Sequence, residues 1–303
     1  MKTKIIISLA VLVVFSVMVI SCQALMKAAD VGAQIAGATG VIDQNTANAI
    51  SISSRAIGSA AEEITPEQEY YIGRAVAANI LSSYRLWSGN APLTAYLNQI
   101  CAAITINSPR PDIYNGYHVA ILDSTEINAF ATSGGHIFVT RGLINAARSE
   151  EALAGVIAHE IAHIQLQHSI KAIKNSRVTQ ALMVTGTSAA GAAAGMNVNQ
   201  LTDVFNESVG EIVSTLVSNG YSQTQEFEAD NTAMSLMAAA GYNPSGLLDM
   251  LRQLSSVQTS SSGFGKTHPT PAQRITNAEK SVGSYKVADT SSSRQSRFTT
   301  ATR

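Results

Sequence analysis

Cysteine is scarce in this chain, with only Cys22 and Cys101 among 303 residues. Two cysteines imply no disulfide framework. Charge is thin as well: Asp, Glu, Lys and Arg make up 14% of the residues, the formal net charge is −1, and no block of Lys or Arg occurs. That removes the electrostatic footprint a nucleic-acid partner requires, so nucleic acid is excluded as a ligand. No internal repeat is present either. Beyond residue 20 no apolar run is long enough for a confident membrane span. The stretch Ala181 to Met196, nearly all small residues, reads as a tightly packed helical hairpin or loop, with a membrane-dipping segment as the other reading. What the chain does have is 46% hydrophobic residues, ample for a buried core in one large or two small domains.

The N-terminus combines Lys2 and Lys4, an apolar stretch from Ile5 to Ile20, and Val19-Ile20-Ser21-Cys22. A short basic region followed by an apolar core and small residues forms an export signal. The last four residues resemble the lipobox of bacterial lipoproteins, in which cleavage falls before a cysteine that is then lipidated. The expected boundaries are a signal peptide over 1–21, a tether with some helix over 22–63 held to a membrane through acylated Cys22, a folded domain over 64–284, and a disordered Ser/Thr/Arg-rich tail over 285–303. Gln23 stands where that resemblance would place Asp for inner-membrane retention, which implies an outer-membrane lipoprotein facing the periplasm. Cys101, in the amphipathic run Leu93 to Ile104, reads as a buried free thiol.

Within the folded region the helix signals are strong. Thr65-Pro66-Glu67-Gln68 supplies an N-cap, a proline at the first helical position and a capping-box partner, opening a helix predicted to reach about Trp87. Further helices are expected over Leu93 to Ile104, from Glu150 (capped by Ser149) to near Ser169, over Leu201 to Val217, and from the Ser222/Gln225 capping box to about Ala240. A final pair covers Ser245 to Ser255 and Pro271 to Ser281. Two stretches alternate as strands do: Tyr117 to Leu122, and His136 to Thr140 after the turn Ser133-Gly134-Gly135. The fold class is therefore α+β, mainly helical with a small sheet.

Only six histidines occur, and two of them lie in an H-E-x-x-H signature, His159, Glu160 and His163, inside a helix-periodic run. Four residues apart, the two imidazoles project from one helix face about one turn from each other, so both can reach the same ion. Zinc lowers the pKa of a bound water to about 7, and a carboxylate beside it can take the proton as that water attacks a peptide carbonyl. Glu160 suits that role. A catalytic zinc takes three protein ligands and keeps one position open, so a partner must come from elsewhere. By spacing alone Glu226 and Glu228 are equal candidates. Asp230, four residues after Glu226 and on the same face, suits the carboxylate that accepts the other ring N–H of a zinc histidine. A structural zinc site is disfavoured, because such sites close with four protein ligands, mostly Cys. His168, about 140° round the helix from His163, cannot share the ion and reads as a packing or polar-network residue. His118 and His136 read as ordinary sheet residues.

His159-Glu160-Ile161-Ala162-His163 followed by Glu226-Phe227-Glu228-Ala229-Asp230 resembles the zinc endopeptidase family of CAAX prenyl proteases, HtpX-type membrane proteases and BepA-type outer-membrane quality-control proteases. Asn128-Ala129-Phe130-Ala131, Gly134-Gly135, Ile137-Phe138-Val139, Gly142-Leu143 and the segment Thr267 to Ile275 extend the likeness over most of Thr65 to Ser281. By layout the chain is similar to the compact bacterial lipoprotein members. The resemblance implies a gluzincin-type domain with one Zn2+ per chain on His159, His163 and Glu226, with Asp230 behind a ligand. It implies that His268 can fill the fourth zinc position in a latent state, and that Arg274 lies near the active site, where a guanidinium could stabilise an oxyanion. A strand edge above the motif helix can pair main chain to main chain with an extended substrate. Asn128, Ala129, His136, Ile137 and Phe138 are expected to form it, with His136 to Thr140 as the edge itself. The activity implied is a membrane-anchored zinc metalloendopeptidase cutting unfolded or misfolded envelope proteins. The alternative is a periplasmic, chaperone-like outer-membrane assembly factor that binds such clients and seldom cleaves them.

Overall fold

The computed structural model describes residues 25–51 apart from 26 and 49, 64–171, 210–214 apart from 211, 220–257, 263–268, 271–287 and 291–303. The expected signal peptide, Cys22, the run Ala181 to Met196 and most of the helix expected over Leu201 to Val217 lie outside these residues. The chain divides into two compact units. In the first, helical residues 27–38 and 44–48 meet through Gly37 and Ala47. Ala33 and Ala47 are buried, and Asp43 caps the second helix by accepting from Thr46 N at 3.0 Å.

The second unit opens with α1, Pro66–Ser83, which carries the expected capping box between Thr65 and Gln68. It stops short of Trp87 because the chain turns extended at Tyr84 and becomes a sheet partner: Leu86 bridges Leu122, and Trp87 N donates to Ile121 O at 2.8 Å. Helix α2, Ala91–Thr105, buries Leu93, Tyr96, Leu97, Ile100, Cys101 and Ile104 along one stripe. Cys101 is a free thiol, as expected, and burial pushes its pKa up to about 12.

Three strands rather than two follow: β1, His118–Leu122; β2, Ala129–Thr132; and β3, His136–Thr140. β2 escapes the sequence pattern because all four of its residues are buried, so nothing alternates. The order is β1-β3-β2, with β3 parallel to β1 and antiparallel to β2. This corrects one expectation. His136, Ile137 and Phe138 lie on the central strand, where both backbone sides are paired, and cannot be an edge. The outer side of β1 is covered by the Leu86 bridge and by Asn98, whose side chain accepts from Val119 N at 2.9 Å and donates to Val119 O at 2.8 Å. β2 is left as the edge strand, and Ala129 belongs to it. The β2–β3 turn needs its glycines: Gly134 and Gly135 have φ of 84° and 92°, and a Cβ on Gly134 would stand 2.6 Å from Tyr70 Cα in α1.

After α3, Arg141–Ala146, comes the motif helix α4, Glu150–Gln165, capped by Ser149 accepting from Ala152 N at 3.1 Å. Every residue of α4 except Gln165 is buried, so it forms the centre of the unit. It packs against α2, β2, α5 (Gln223–Ala239) and α6 (Ser245–Val257). Such a position demands small residues. A Cβ at Gly155 would stand 2.8 Å from Leu247 Cα, so only glycine lets the α6 backbone come this close. Two more helices, α7 (Phe264–Thr267) and α8 (Pro271–Val282), bring His268 against α4 and Arg274 against α5.

The tail expected to be disordered instead forms α9, Ser291–Ala301. Its composition is polar, but Phe298 is buried, Arg297 Nη2 pairs with Glu150 Oε1 at 2.6 Å, and Arg294 pairs with Glu151 at 3.3 Å. One aromatic anchor, roughly 1.5–3 kcal/mol on full burial, and two ion pairs to the acidic first turn of α4 hold a helix that composition alone does not announce. Among the described residues no helix is long and apolar enough to cross a membrane.

Candidate metal centre

His159 and His163 leave α4 on one face, and Glu226 and Asp230 leave the first turns of α5 opposite. The capping box Ser222/Gln225 fixes where α5 begins, and so fixes which carboxylate meets the histidines. His268 arrives from the end of α7. One donor atom each from His159, His163, Glu226 and His268 lies within 4.8 Å of the others, and all four residues are buried.

The hydrogen bonds settle which nitrogens face inward. His159 Nδ1 lies 3.0 Å from Asp230 Oδ1, and an ionised carboxylate can only accept, so Nδ1 carries the proton. In the neutral ring that leaves a lone pair on Nε2. His163 turns its own Nε2 to within 3.0 Å of His159 Nε2, while its Nδ1 faces away. Glu226 places Oε2 3.5 Å from His159 Nε2 and Oε1 3.5 Å from His163 Nε2. Two imidazole lone pairs and a carboxylate thus converge on one point, a donor set suited to a small dication such as zinc.

The charge balance leans the same way. Arg274, fully buried, donates from Nε and Nη2 to Asp230 at 2.8 and 2.6 Å, and its Nη1 stands 2.9 Å from Glu226 Oε2 without hydrogen-bond alignment. One guanidinium faces two buried carboxylates, and Glu160 adds a third. Burial alone would raise the pKa of Glu226 and Asp230, but Arg274 and the facing histidines together outweigh it, holding Glu226 well below the ordinary value and Asp230 at about 2. Burial raises Glu160 above the usual carboxylate range. Burial likewise lowers His163 well below its ordinary value, so that ring is neutral. At His159 burial and Arg274 both lower the pKa, yet hydrogen bonds to Asp230 and Glu226 carry it up to about 9. Without a metal, Arg274 and a protonated His159 together compensate the two ionised carboxylates, and a metal ion on His159 Nε2 would take the place of that proton.

Of the residues singled out in the sequence, His159, Glu160, His163, Glu226, Asp230, His268 and Arg274 all meet here. Glu228 does not reach the cluster, so the ambiguity between Glu226 and Glu228 is decided by helix phase. Arg274 commits Nε and Nη2 to Asp230, while Nη1, beside Glu226, makes no aligned hydrogen bond. His118 bonds Asn115 O and His136 stacks on Tyr70, both away from the cluster. Asn128 is turned inward, accepting from Ala129 N and from the Thr267 hydroxyl. Two aromatics had no sequence signal. Tyr221 stacks on the His163 ring, centroids 4.0 Å apart and planes 17° apart, and Phe264 stacks on His268 at 4.2 Å. Neither has a fixed spacing from the motif.

Comparison with known proteins agrees with this geometry. Residues 91–282 match the model of peptidase family M48. The chain is 27% identical over 206 residues to the mitochondrial metalloendopeptidase OMA1 of Schizosaccharomyces pombe, covering 66% of this chain and 57% of that one. It is 32% identical over 150 residues to the metalloprotease LoiP of Escherichia coli, covering 49% and 56%, and 27% identical over 205 residues to the beta-barrel assembly-enhancing protease of the same organism, covering 63% and 40%. The matched regions thus span roughly half the length of these relatives. With H-E-x-x-H and its converging Glu226 inside the matched region, the chain belongs to peptidase family M48, a family of zinc metalloproteases.

Proposed function

We propose that this protein is a lipid-anchored zinc metalloendopeptidase of the bacterial cell envelope, acting on unfolded or misfolded polypeptides. The observation that carries the reading is the convergence of His159, His163 and Glu226 donors beside the buried carboxylate of Glu160. These three residues would hold a zinc ion, which would supply a Lewis acid for the scissile carbonyl and lower the pKa of water to about 7. Glu160 is the residue that would take the proton of the attacking water and return it to the leaving amine. Its pKa, raised by burial, suits a base that must also serve as an acid near neutral pH. Asp230 holds the Nδ1 proton of His159, and Arg274 holds Asp230 and Glu226 in place. β2, the terminal strand of the sheet and packed against α4, is the strand we assign to substrate binding: its outer edge is buried in this structure, and once uncovered it would give an extended peptide main-chain hydrogen bonds without needing a particular side-chain sequence. Purified protein should carry about one zinc per chain and cut a casein-type substrate until a chelator removes the metal. A zinc-free protein that still cuts would overturn this reading.

His268 is the proposed occupant of the fourth position in a resting state. Its Nδ1 lies 3.1 Å from Glu226 Oε1 and 3.3 Å from His159 Nε2, and Phe264 stacks on its ring. A fourth imidazole there competes with water, so His268→Ala should raise basal cleavage at unchanged zinc content. A lower rate would make His268 a catalytic group instead. The order signal 1–21, tether 22–63 and catalytic domain from 64 is proposed to place the enzyme on the periplasmic side of the outer membrane, in keeping with the beta-barrel assembly for which the Escherichia coli relative is named. One acyl chain gives only marginal attachment, so several are needed on Cys22. Cys22→Ser should therefore move the protein from the membrane to the soluble fraction; a mature protein still starting at Met1 by mass spectrometry would sink the lipobox reading.

A further inference from the structure

The two histidines of the motif are held from behind in different ways. Asp230 stands behind His159. Behind His163 stands another histidine: His168 Nδ1 lies 2.8 Å from His163 Nδ1, and His168 Nε2 lies 3.2 Å from Glu228 Oε2. On a continuous helix His168 would point elsewhere. Helix α4 instead ends at Gln165, and Gln167 adopts φ of 54°, a left-handed conformation rare for a residue with a side chain. That turn brings His168 back over His163. It is clamped from α1: Gln167 Nε2 donates to Glu69 Oε2 at 2.9 Å, and Arg110 pairs with the same oxygen at 3.2 Å while reaching Ile164 O at 3.3 Å. Non-glycine residues in this region cost about 1–3 kcal/mol and persist where their surroundings fix them, often at functional sites.

Proton bookkeeping gives the contact a direction. His163 presents Nε2 to the donor cluster, so when that atom binds the metal its proton is on Nδ1. That N–H can donate only to a lone pair, which places the His168 proton on Nε2, where Glu228 accepts it. Every hydrogen-bonding atom of the chain His163–His168–Glu228 is then matched in one tautomer set. His168 is 1% exposed, whereas the Glu228 side chain is 52% exposed.

We propose that His168 and Glu228 form a positioning relay for His163, the counterpart of Asp230 for His159, fixing the ring and its tautomer so that Nε2 is aimed at the metal. The second acidic residue of Glu226-Phe227-Glu228-Ala229-Asp230 thereby gains a role distinct from the first. The proposal rests on His163 being a zinc ligand, as read above. Partners of this kind are worth about 10–100-fold in metal affinity or activity.

The test uses the full chain stripped of metal, titrated with Zn2+ against a chelating indicator and with Co2+ to read the ligand-field spectrum, with the melting temperature of the metal-free protein as a fold control. His168→Leu fills the space without an acceptor and should weaken zinc binding by about 10–100-fold with an altered Co2+ spectrum. His168→Asn places a carbonyl oxygen near the former Nδ1, so it should recover most of the affinity although it cannot reach Glu228. Glu228→Ala, a change at a half-exposed site that leaves the core intact, should weaken binding measurably, by up to about tenfold, the low end of that range. Equal zinc affinity in wild type and a folded His168→Leu, or Asn doing no better than Leu, would overturn the relay. If the Leu variant does not fold, Glu228→Ala decides, and an unchanged zinc affinity there overturns it. A wild-type chain that binds no zinc is a different result, which removes the metal site itself.

Discussion

Replacing Glu160 by Gln is expected to lower cleavage of an unstructured substrate by about 10²–10⁴-fold, the range over which a positioned general base acts, while zinc content and substrate binding stay near wild type. The side chain is 1% exposed and contributes no atom to the four-residue donor cluster, so removing its charge leaves the donors in place. Its Oε1 lies 3.5 Å from His268 Nε2 and has no hydrogen-bond partner among the described residues, consistent with a group kept available for a reacting proton. The amide keeps the shape but cannot accept a proton at neutral pH. Cleavage rates under single turnover, with pull-down of an unfolded client in parallel, separate the two functional readings. Lost cleavage with retained binding supports the protease. If the variant cuts as fast as wild type, Glu160 is not the base; if wild type binds clients strongly and scarcely cuts, the assembly-factor reading gains.

The second large effect is expected at Glu226. Glu226→Gln removes the only carboxylate in the donor cluster, so zinc affinity should fall by more than the roughly 100-fold ceiling for an outer partner. Both Glu226→Gln and Glu226→Ala remove the charge facing the buried Arg274, a loss that typically costs about 3–5 kcal/mol. Gln keeps the side-chain volume and a carbonyl oxygen beside the guanidinium, so it is the cleaner probe. Glu228→Ala, two residues on, should cost no more than about tenfold. Metal analysis after dialysis reads the difference directly. Full zinc retention in Glu226→Gln together with loss in Glu228→Ala would reverse the ligand assignment.

Much of this site is legible without coordinates because it depends on short-range geometry. The i, i+4 spacing of His159 and His163 places both rings on one face whatever surrounds the helix, and the same holds for Glu226 and Asp230 on α5. The caps Thr65, Ser149 and Ser222 are local hydrogen-bonding choices, and all three helices start where those residues indicate. The α+β class follows from the same local signals.

What the sequence could not determine depends on contacts between distant segments. Sheet order is one case: β2 has no alternation because both its faces are covered, and only the fold shows that it, not β3, is the edge. Helix α9 is another, since its polar sequence is held by Phe298 and by ion pairs to Glu150 and Glu151, almost 150 residues earlier. The choice of Glu226 over Glu228 required the phase of α5 relative to α4. The position of His168 required the left-handed turn at Gln167, which exists because Glu69 of α1 holds it. Spacing along one helix is set by the backbone itself, so residue identities suffice to read it. Which surfaces meet is set by packing the whole unit around α4, and that only the tertiary structure decides.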